Sequence, residues 1–194
     1  MSVLVYTENW DGKFKKLSFE LVSYGAGVAG MINSSLTVLS IGKVDDEELK
    51  TLGSYGAQKI LSVDNENLNV FDSQAYTSVI SDIASAEKAT VIILANNNTG
   101  KAVAPRLSVR LKAGIGSGVN KLPLNINPFT VNKRTYSGNA FAHLVISSDI
   151  KILTLAQNSF DPVSTPNNAI IEKVNVTVDK SLVRTEVKEV LKQS

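Results

Sequence analysis

Apolar and polar positions along the first half of the chain alternate between strand-like and helix-like spacing. Continuous apolar runs at residues 3–6 and 91–95 are typical of strands that are buried on both faces of a sheet. Apolar residues recur at helical spacing over residues 17–33 and 72–88. Further elements are predicted as strands at residues 36–41 and 59–63 and as a short helix at residues 45–56. Alternation of this kind predicts a parallel sheet covered by helices.

The second half of the chain is richer in turn residues and in short runs with strand-like spacing. An irregular connection is marked by Pro123, Asn125, Asn127 and Pro128. Four strands are predicted after it, at residues 133–136, 140–146, 151–155 and 169–178. Residues 185–192 are charged and form either a short surface helix or the start of a linker. We therefore expect one α/β domain over residues 1–194, with a mostly parallel sheet and late antiparallel strands.

Acidic residues occur where two of the helices are predicted to begin. Asp72 is positioned to cap the helix that precedes the strand at residues 91–95. The acidic run at residues 45–48 places negative charge at a helix amino terminus, where the macrodipole favours it. Four successive acids point around a helix and do not converge on one ion, so we expect no metal site.

The stretch from residue 90 to residue 120 carries the most specific pattern in the chain. An apolar run leads into a polar turn at residues 96–100 and then into a helix. Small residues between a strand and a helix amino terminus leave backbone N–H groups free for an anion or a carboxylate. Since proline is tolerated in the first turn of a helix, Pro105 places the helix start close to Gly100 or Lys101.

Two arginines of this helix flank its predicted buried stripe. Arg106 and Arg110 are four residues apart, beside the apolar positions Val103, Leu107 and Leu111. Their guanidinium groups can reach a carboxylate, a phosphate or a carbonyl of a partner. The same pair would equally serve solubility or ion pairs within the chain, and the residues alone leave both interpretations open.

Gly25, Gly27 and Gly30 spell the dinucleotide fingerprint G-x-G-x-x-G, but the context is reversed. The fingerprint needs a strand, a glycine turn and then a helix, so that the pyrophosphate meets a helix amino terminus. Here the glycines follow a helical stretch and precede a strand. We expect them to let a helix pack closely on the sheet.

Thr99, Gly100 and Lys101 are similar to the end of a phosphate-binding P-loop. Ala95 stands where the first glycine of that loop belongs, and Ala102 replaces the hydroxyl that binds magnesium. The sequence therefore gives no support to nucleoside triphosphate hydrolysis.

Composition and charge exclude several classes of site. The chain has 194 residues, 43% of them hydrophobic and 20% charged, with no cysteine and a net charge of +2. The absence of cysteine excludes disulfides and thiolate chemistry, and the small net charge gives no reason to expect nucleic acid as a partner. His143, the one histidine, lies in an apolar strand, where a satisfied structural histidine is favoured over a general base. No catalytic constellation, leader or membrane span is found, so we expect a cytoplasmic protein.

The string NNNTGKAVAPRLSVRLKAGIGSGV contains T-G-K, then A-P-R-L, a second basic residue and a following run of small residues. This order resembles the signature of the electron transfer flavoprotein alpha subunit, which is T-G-[RK], A-P-R-L, a second basic residue and a small-residue strand. RTYSGNAFAHL resembles its Tyr-x-Gly-Asn-Ala element, and KILTLAQNSF its strand ending in Ser-Phe. The segments VLVYTE and LTVLSIG through GAQKIL also fit, so the likeness covers essentially the whole chain.

The resemblance implies a three-layer Rossmann-like fold of the adenine nucleotide alpha hydrolase-like kind, in an electron carrier subunit that is not an enzyme. In the family, alpha and beta subunits form a heterodimer whose FAD takes electrons from dehydrogenases and passes them to an acceptor. A separate carboxyl-terminal domain of alpha mainly holds the flavin, and we expect that domain to be absent from this chain and no cofactor to be bound by it. The residues carried over as motif or partner-interface candidates are Thr99, Gly100, Arg106, Arg110, Gly138 and Asn139.

The sequence departs from the family pattern at two positions and leaves one rival open. Gly118 stands where members usually carry Asp, and Ala156 where they carry Arg, which puts ion pairs at those positions in doubt. The rival is a nucleotide-binding regulatory domain of the universal-stress type, because a strand, a polar glycine turn and a helix can also hold ATP. Such a domain would have a fuller Gly and Ser phosphate loop than this sequence has.

Overall fold

The computed structural model of the chain describes residues 2–189, which form an α/β domain. The strands are β1 (Ser2–Thr7), β2 (Asn9–Trp10), β3 (Lys13–Phe14), β4 (Ser35–Ile41), β5 (Lys59–Val63), β6 (Ala89–Ala95), β7 (Gly114–Val119), β8 (Asn125–Ile126), β9 (Phe129–Thr135), β10 (Ala140–Val145), β11 (Lys151–Leu155) and β12 (Ile170–Lys173). The α-helices are α1 (Lys16–Met31), α2 (Asp46–Gly53), α3 (Ser73–Ala86) and α4 (Asn98–Leu111).

Ten strands form one sheet in the order β10-β9-β7-β11-β6-β1-β4-β5-β12, with β8 paired to β9. Neighbours from β7 to β12 run parallel, and β8, β9 and β10 run antiparallel. The predicted mostly parallel sheet with late antiparallel strands is confirmed, although the late strands β11 and β12 join in parallel. A separate hairpin, β2–β3, projects between β1 and α1.

Helices cover both faces of the sheet and define two hydrophobic cores. Alternate residues of β1 point to opposite sides, Val3 and Val5 toward α1 and α2, Leu4 and Tyr6 toward α3 and α4. All four side chains are buried, as expected for a central parallel strand. The three-layer α/β fold is therefore as predicted.

Helix α3 begins where the sequence predicts, with Asp72 as its cap. The Asp72 carboxylate accepts hydrogen bonds from the backbone N–H groups of Gln74 and Ala75. Its other oxygen accepts from the Arg184 N–H and the Thr185 hydroxyl, which ties the carboxyl-terminal segment to this helix. Burial opposes ionisation of Asp72, but these hydrogen bonds outweigh it and hold the pKa of the carboxyl below its usual value.

Of the three glycines of helix α1, one has the predicted role of close packing on the sheet, and a second packs against the loop after β7. A Cβ on Gly25 would lie 2.5 Å from the Val5 side chain of β1, and one on Gly27 would lie 2.8 Å from Leu122. Nothing lies within 4 Å of the corresponding point at Gly30. The close approach of helix and sheet therefore requires a glycine at Gly25.

The predicted start of α4 is wrong by about three residues. Asn97 caps the helix, because its side chain accepts a hydrogen bond of 2.9 Å from the Gly100 N–H. Pro105 therefore lies inside the helix and not in its first turn. The carbonyl of Lys101, on the preceding turn, loses the N–H that would otherwise bond to it.

Three predictions for the second half need correction. The first strand after the connection starts at Phe129 and not at residue 133, and the strand predicted at residues 169–178 is limited to β12. The residue pattern misses β7, whereas the resemblance implies a small-residue strand there, and that strand is confirmed. The segment at residues 185–192 is predicted as a short surface helix or the start of a linker. Its residues 185–189 are not helical, and Val190, Leu191 and Lys192 lie outside the described residues.

No helix within residues 2–189 is both long and apolar enough to cross a membrane.

Candidate functional site

The candidate site is the crevice at the carboxyl ends of β1 and β6, the two adjacent central strands. The chain leaves β1 toward α1 on one face and leaves β6 toward α4 on the other, so the strand order switches here. In open α/β sheets, ligands bind at such switch points. A cleft of about 270 Å³ lies at this place, lined in part by Glu8, Trp10, Lys15, Asn97 and Gln157.

Two side chains of the protein lie at the amino terminus of α4. Asn97 accepts from the Gly100 N–H at 2.9 Å and donates through Nδ2 to Glu8 Oε1 at 2.8 Å. One of the backbone N–H groups predicted to be free, that of Gly100, is therefore occupied. The Glu8 carboxylate also places negative charge beside the positive end of the helix, where a phosphate would otherwise bind.

Gly100 is required by the close approach of α4 to the end of β6. A Cβ at Gly100 would lie 1.7 Å from the Ala95 carbonyl oxygen, a distance that no atom pair tolerates. The glycine of the T-G-K motif thus serves the strand-to-helix turn, and Ala95 takes part through its backbone.

A second polar network joins the ends of β6, β7 and β11. The Thr154 hydroxyl donates to Asn96 Oδ1 at 3.0 Å and accepts from the Gly118 N–H at 2.9 Å. Gly118 has a φ of +70°, where residues with a side chain are strained, and a Cβ built on it would lie 3.4 Å from the Asn96 amide nitrogen. Glycine therefore suits the backbone at this position.

Electrostatic effects of Glu8 extend into the core below the crevice. Burial raises the pKa of Tyr76 to about 12, and the Glu8 carboxylate adds to that shift. The pKa of Tyr6 is likewise raised by burial, and the neighbouring Tyr76 and Glu8 contribute. Both phenols are therefore neutral at physiological pH and offer the site no second negative charge.

The rim of the crevice is a hairpin that the sequence analysis does not identify. Strands β2 and β3 pair across Asp11 and Gly12, which both have positive φ. Trp10 is 66% exposed, and the Lys15 ammonium lies 4.1 Å from the centre of its ring. The Asp-Gly dipeptide is a strong hairpin signal and could have identified this element.

A buried carboxylate, Glu20 of α1, also escapes the sequence prediction. Its side chain accepts from the Asn158 N–H at 3.0 Å and lies 3.4 Å from the Lys16 ammonium. The hydrogen bond between Glu20 and Asn158 connects the loop after β11 to α1. Only its i, i+4 spacing from Lys16 is visible in the sequence.

The six predicted site residues fall into separate places. Thr99 and Gly100 lie in the first turn of α4, and Arg106 and Arg110 lie farther along the same helix. Gly138 and Asn139 lie in the turn between β9 and β10 at the sheet edge. Within residues 2–189, no side-chain hydrogen bond or ion pair joins these groups, so they do not form a single site.

The two arginines use their charges differently. Arg110 pairs with Asp82 of α3 at 3.5 Å, which is the ion pair within the chain that the sequence left open. Arg106 donates to the carbonyl of Ala102 one turn back, at 2.6 Å, and is exposed. Arg106 is thus the member of the pair whose charge has no acidic partner in the described part of the chain.

The remaining candidates give no catalytic or metal site. His143 lies on the edge strand β10 and is exposed, so the predicted satisfied structural histidine is wrong, because the apolar strand around it has one open side. Glu48 accepts from Lys13 and from the Phe14 N–H, which lowers its pKa. Over residues 2–189 no group of three acidic or histidine side chains is arranged to hold a metal.

Comparisons with known proteins agree with the resemblance. The family described as Electron transfer flavoprotein domain matches residues 3–179. Protein FixB of Clostridium saccharobutylicum is 28% identical over 194 residues, covering 98% of this chain and 58% of that protein. The electron transfer flavoprotein subunit alpha of Clostridium acetobutylicum is 29% identical over 197 residues, covering 98% and 59%. The acryloyl-CoA reductase electron transfer subunit beta of Anaerotignum propionicum is 32% identical over 127 residues, covering 66% and 35%.

This chain spans about three fifths of the length of the first two relatives. The family match runs from β1 past β12 and includes the crevice, the motif helix α4 and the edge hairpin. On this evidence the chain belongs to the electron transfer flavoprotein family.

Proposed function

We propose that this chain is the amino-terminal domain of an electron transfer flavoprotein alpha subunit. It supports electron transfer from flavin dehydrogenases to an acceptor, through the FAD of a heterodimer with the beta subunit, and is an electron carrier subunit without a substrate of its own. The match to the family over residues 3–179 carries this proposal. The two relatives named above, one of them called electron transfer flavoprotein subunit alpha, support the choice of subunit.

We further propose that FAD in the complete heterodimer is held mainly outside this chain. The support is local: Asn97 occupies the Gly100 N–H, and Glu8 places a carboxylate at the amino terminus of α4. An anionic cofactor gains little at such a helix end. The domain then contributes protein contacts to the beta subunit, in a complex expected in the cytoplasm.

The universal-stress alternative is not favoured for the same reason. ATP at the switch point would need free backbone N–H groups and a compatible charge, whereas Glu8 is negative there. Calorimetry that measures tight ATP binding by the chain would restore this alternative.

The proposal is tested by purifying the chain alone and together with its beta subunit. We expect the chain alone to be colourless, because this proposal places the flavin mainly outside it, and to form a complex with the beta subunit on size-exclusion chromatography. Stoichiometric FAD retained by the chain alone would contradict the division of labour. Failure of the two folded proteins to associate would contradict the assignment as a partner-binding domain.

A further inference from the structure

The charge of the chain is distributed unevenly along its length. Residues 88–148 contain no Asp and no Glu, although the net charge of the whole chain is only +2. This stretch carries eight basic residues, namely Lys88, Lys101, Arg106, Arg110, Lys112, Lys121, Lys133 and Arg134. All acidic residues therefore belong to the segments before and after it.

The fold gathers this acid-free stretch on one half of the sheet. It contains β6, α4, β7, β8, β9 and β10, which lie on the same side of β1 in the strand order. Of its basic residues, Arg110 alone has an ion-pair partner within residues 2–189. The half that ends at β10 therefore presents positive charge that the described protein does not neutralise.

Strand β10 is an open edge with apolar side chains. It has six residues, pairs on one side with β9, and contains neither a proline nor a Lys, Arg, Asp or Glu. Phe141 is 58% and Val145 54% exposed, and Arg134 lies opposite Phe141 in the register. Edge strands are normally protected by charges, prolines or bulges, because their outer N–H and C=O groups can pair with another chain.

We propose that β10 receives an extended, acidic segment of a partner protein, which adds to the sheet as a further strand. Main-chain hydrogen bonds would give affinity, Phe141 and Val145 would give apolar contact, and Arg134 with Lys133 would select the acidic partner. The inference rests on the proposed function, since it identifies the surface through which the domain takes up its partner subunit.

A second copy of this chain is a poorer occupant of the edge. Pairing β10 with β10 would join two acid-free halves, each with the basic residues Lys133 and Arg134 on the adjacent strand β9. The opposite edge, β12, has acids beside it, but Asp46 pairs with Lys173 and Glu172 with Lys59. Those carboxylates are already neutralised, so they offer a basic edge little attraction.

Nucleic acid is also a poorer occupant. The exposed face of β10 presents Phe141, His143 and Val145, with no lysine or arginine on the strand itself. Affinity for a phosphate backbone comes from several basic contacts in register, which this strand does not supply.

The first arm of the test measures amide hydrogen exchange of the chain alone and in complex with its beta subunit. We expect the amides of β10 to become protected together with an acidic segment of the beta subunit, and those of β12 to remain unchanged. A complex that leaves β10 unprotected, or that protects it with a segment lacking acids, would overturn the inference while the proposed function stands.

The second arm compares variants of the two edges. Phe141→Glu with Val145→Glu should weaken the complex by at least about tenfold, whereas Ile170→Glu on β12, also an exposed edge residue, should change it less than about twofold. Arg134→Gln should slow association and reduce its salt dependence, with Lys180→Gln as the matched exposed control. Equal affinity of the double variant and the Ile170 control overturns the inference.

Three further outcomes separate the competing explanations. If the wild-type chain and the beta subunit do not associate, the proposed function fails and the inference fails with it. A dimer of this chain that sediments as such and is abolished by the double variant would assign β10 to self-association instead. Binding of duplex DNA or RNA that Arg134→Gln removes would assign the edge to nucleic acid.

Discussion

Individual residues in this protein hold the switch-point crevice in one arrangement. Gly100 allows α4 to approach the end of β6, and Asn97 caps that helix while binding Glu8. The motif residues that first look like a phosphate cradle therefore form a closed turn. Their side chains and backbone groups stabilise the strand-to-helix turn.

Substitution of Gly100 by alanine should destabilise the domain strongly. The added Cβ would overlap the Ala95 carbonyl, so backbone must shift, and we expect a loss of about 2–3 kcal/mol in the free energy of unfolding. Urea denaturation measures the change. Gly30→Ala is the control, because nothing lies within 4 Å of its added Cβ and a helical Gly→Ala change gains about 0.5–1 kcal/mol. Equal stabilities of wild type and Gly100→Ala would refute the close-approach argument.

Asp72 should make stability depend on pH. Its pKa is lowered in the folded state, so its ionised form adds stability that is present above its unfolded pKa of about 3.9 and is lost as pH falls through the folded value. Asp72→Ala should cost about 1–2 kcal/mol at neutral pH and progressively less in acid. Urea titrations from neutral to acidic pH compare it with Asp161→Ala, an exposed acid. A difference between Asp72→Ala and wild type that does not shrink in acid would contradict this.

The two arginines of α4 should matter for assembly and hardly for folding. Replacing Arg106 and Arg110 by alanine removes one exposed ion pair, whose expected contribution is about 0–1 kcal/mol. We expect the double variant to keep its unfolding midpoint and to bind the beta subunit more weakly in calorimetry. Lys50→Ala, which removes a comparable exposed pair on α2, should leave binding unchanged. Unchanged assembly of the arginine variant would remove these residues from the interface.

The central strands and two of the helices could be predicted from the sequence because their buried residues follow a regular period. Apolar runs mark β1, β4, β5 and β6, and apolar residues at helical spacing mark α1 and α3. Strand β7, with the sequence GIGSGV, lacks that signal, since its glycines are selected by close contacts with Ile146 and Val131 from elsewhere in the chain. A glycine that is required by a contact with a residue far away in sequence adds nothing to the hydrophobic period of its own strand.

The ends of helices and the polar groups of the crevice are less predictable, because they depend on individual contacts. The sequence allows α4 to begin after Asn97 or nearer to Pro105, and in the structure Asn97 is the N-cap residue. The pairing of Asn97 with Glu8 joins residues far apart in sequence, as does that of Glu20 with Asn158. Sequence spacing contains no information about such contacts, so the crevice could be located but not described.

In the whole molecule, the net charge does not show how the charged residues are distributed over the fold. A net charge of +2 argues for no partner, yet the fold sorts an acid-free stretch onto the half of the sheet that ends at β10. On the opposite half, four acids form ion pairs with lysines, namely Glu48, Glu87, Glu172 and Asp46. Partner selection by such a molecule depends on where charges lie in the fold and not on their sum.

The open edge at β10 also determines how the protein must be handled. A strand such as AFAHLV, apolar and without a charged residue, is a template for misassembly whenever nothing covers it. Chains produced in excess over their partner would meet one another through this edge at high concentration. With the proposed partner on β10, balanced co-production of the two should keep the protein in solution, and Val145→Lys should do the same for this chain alone.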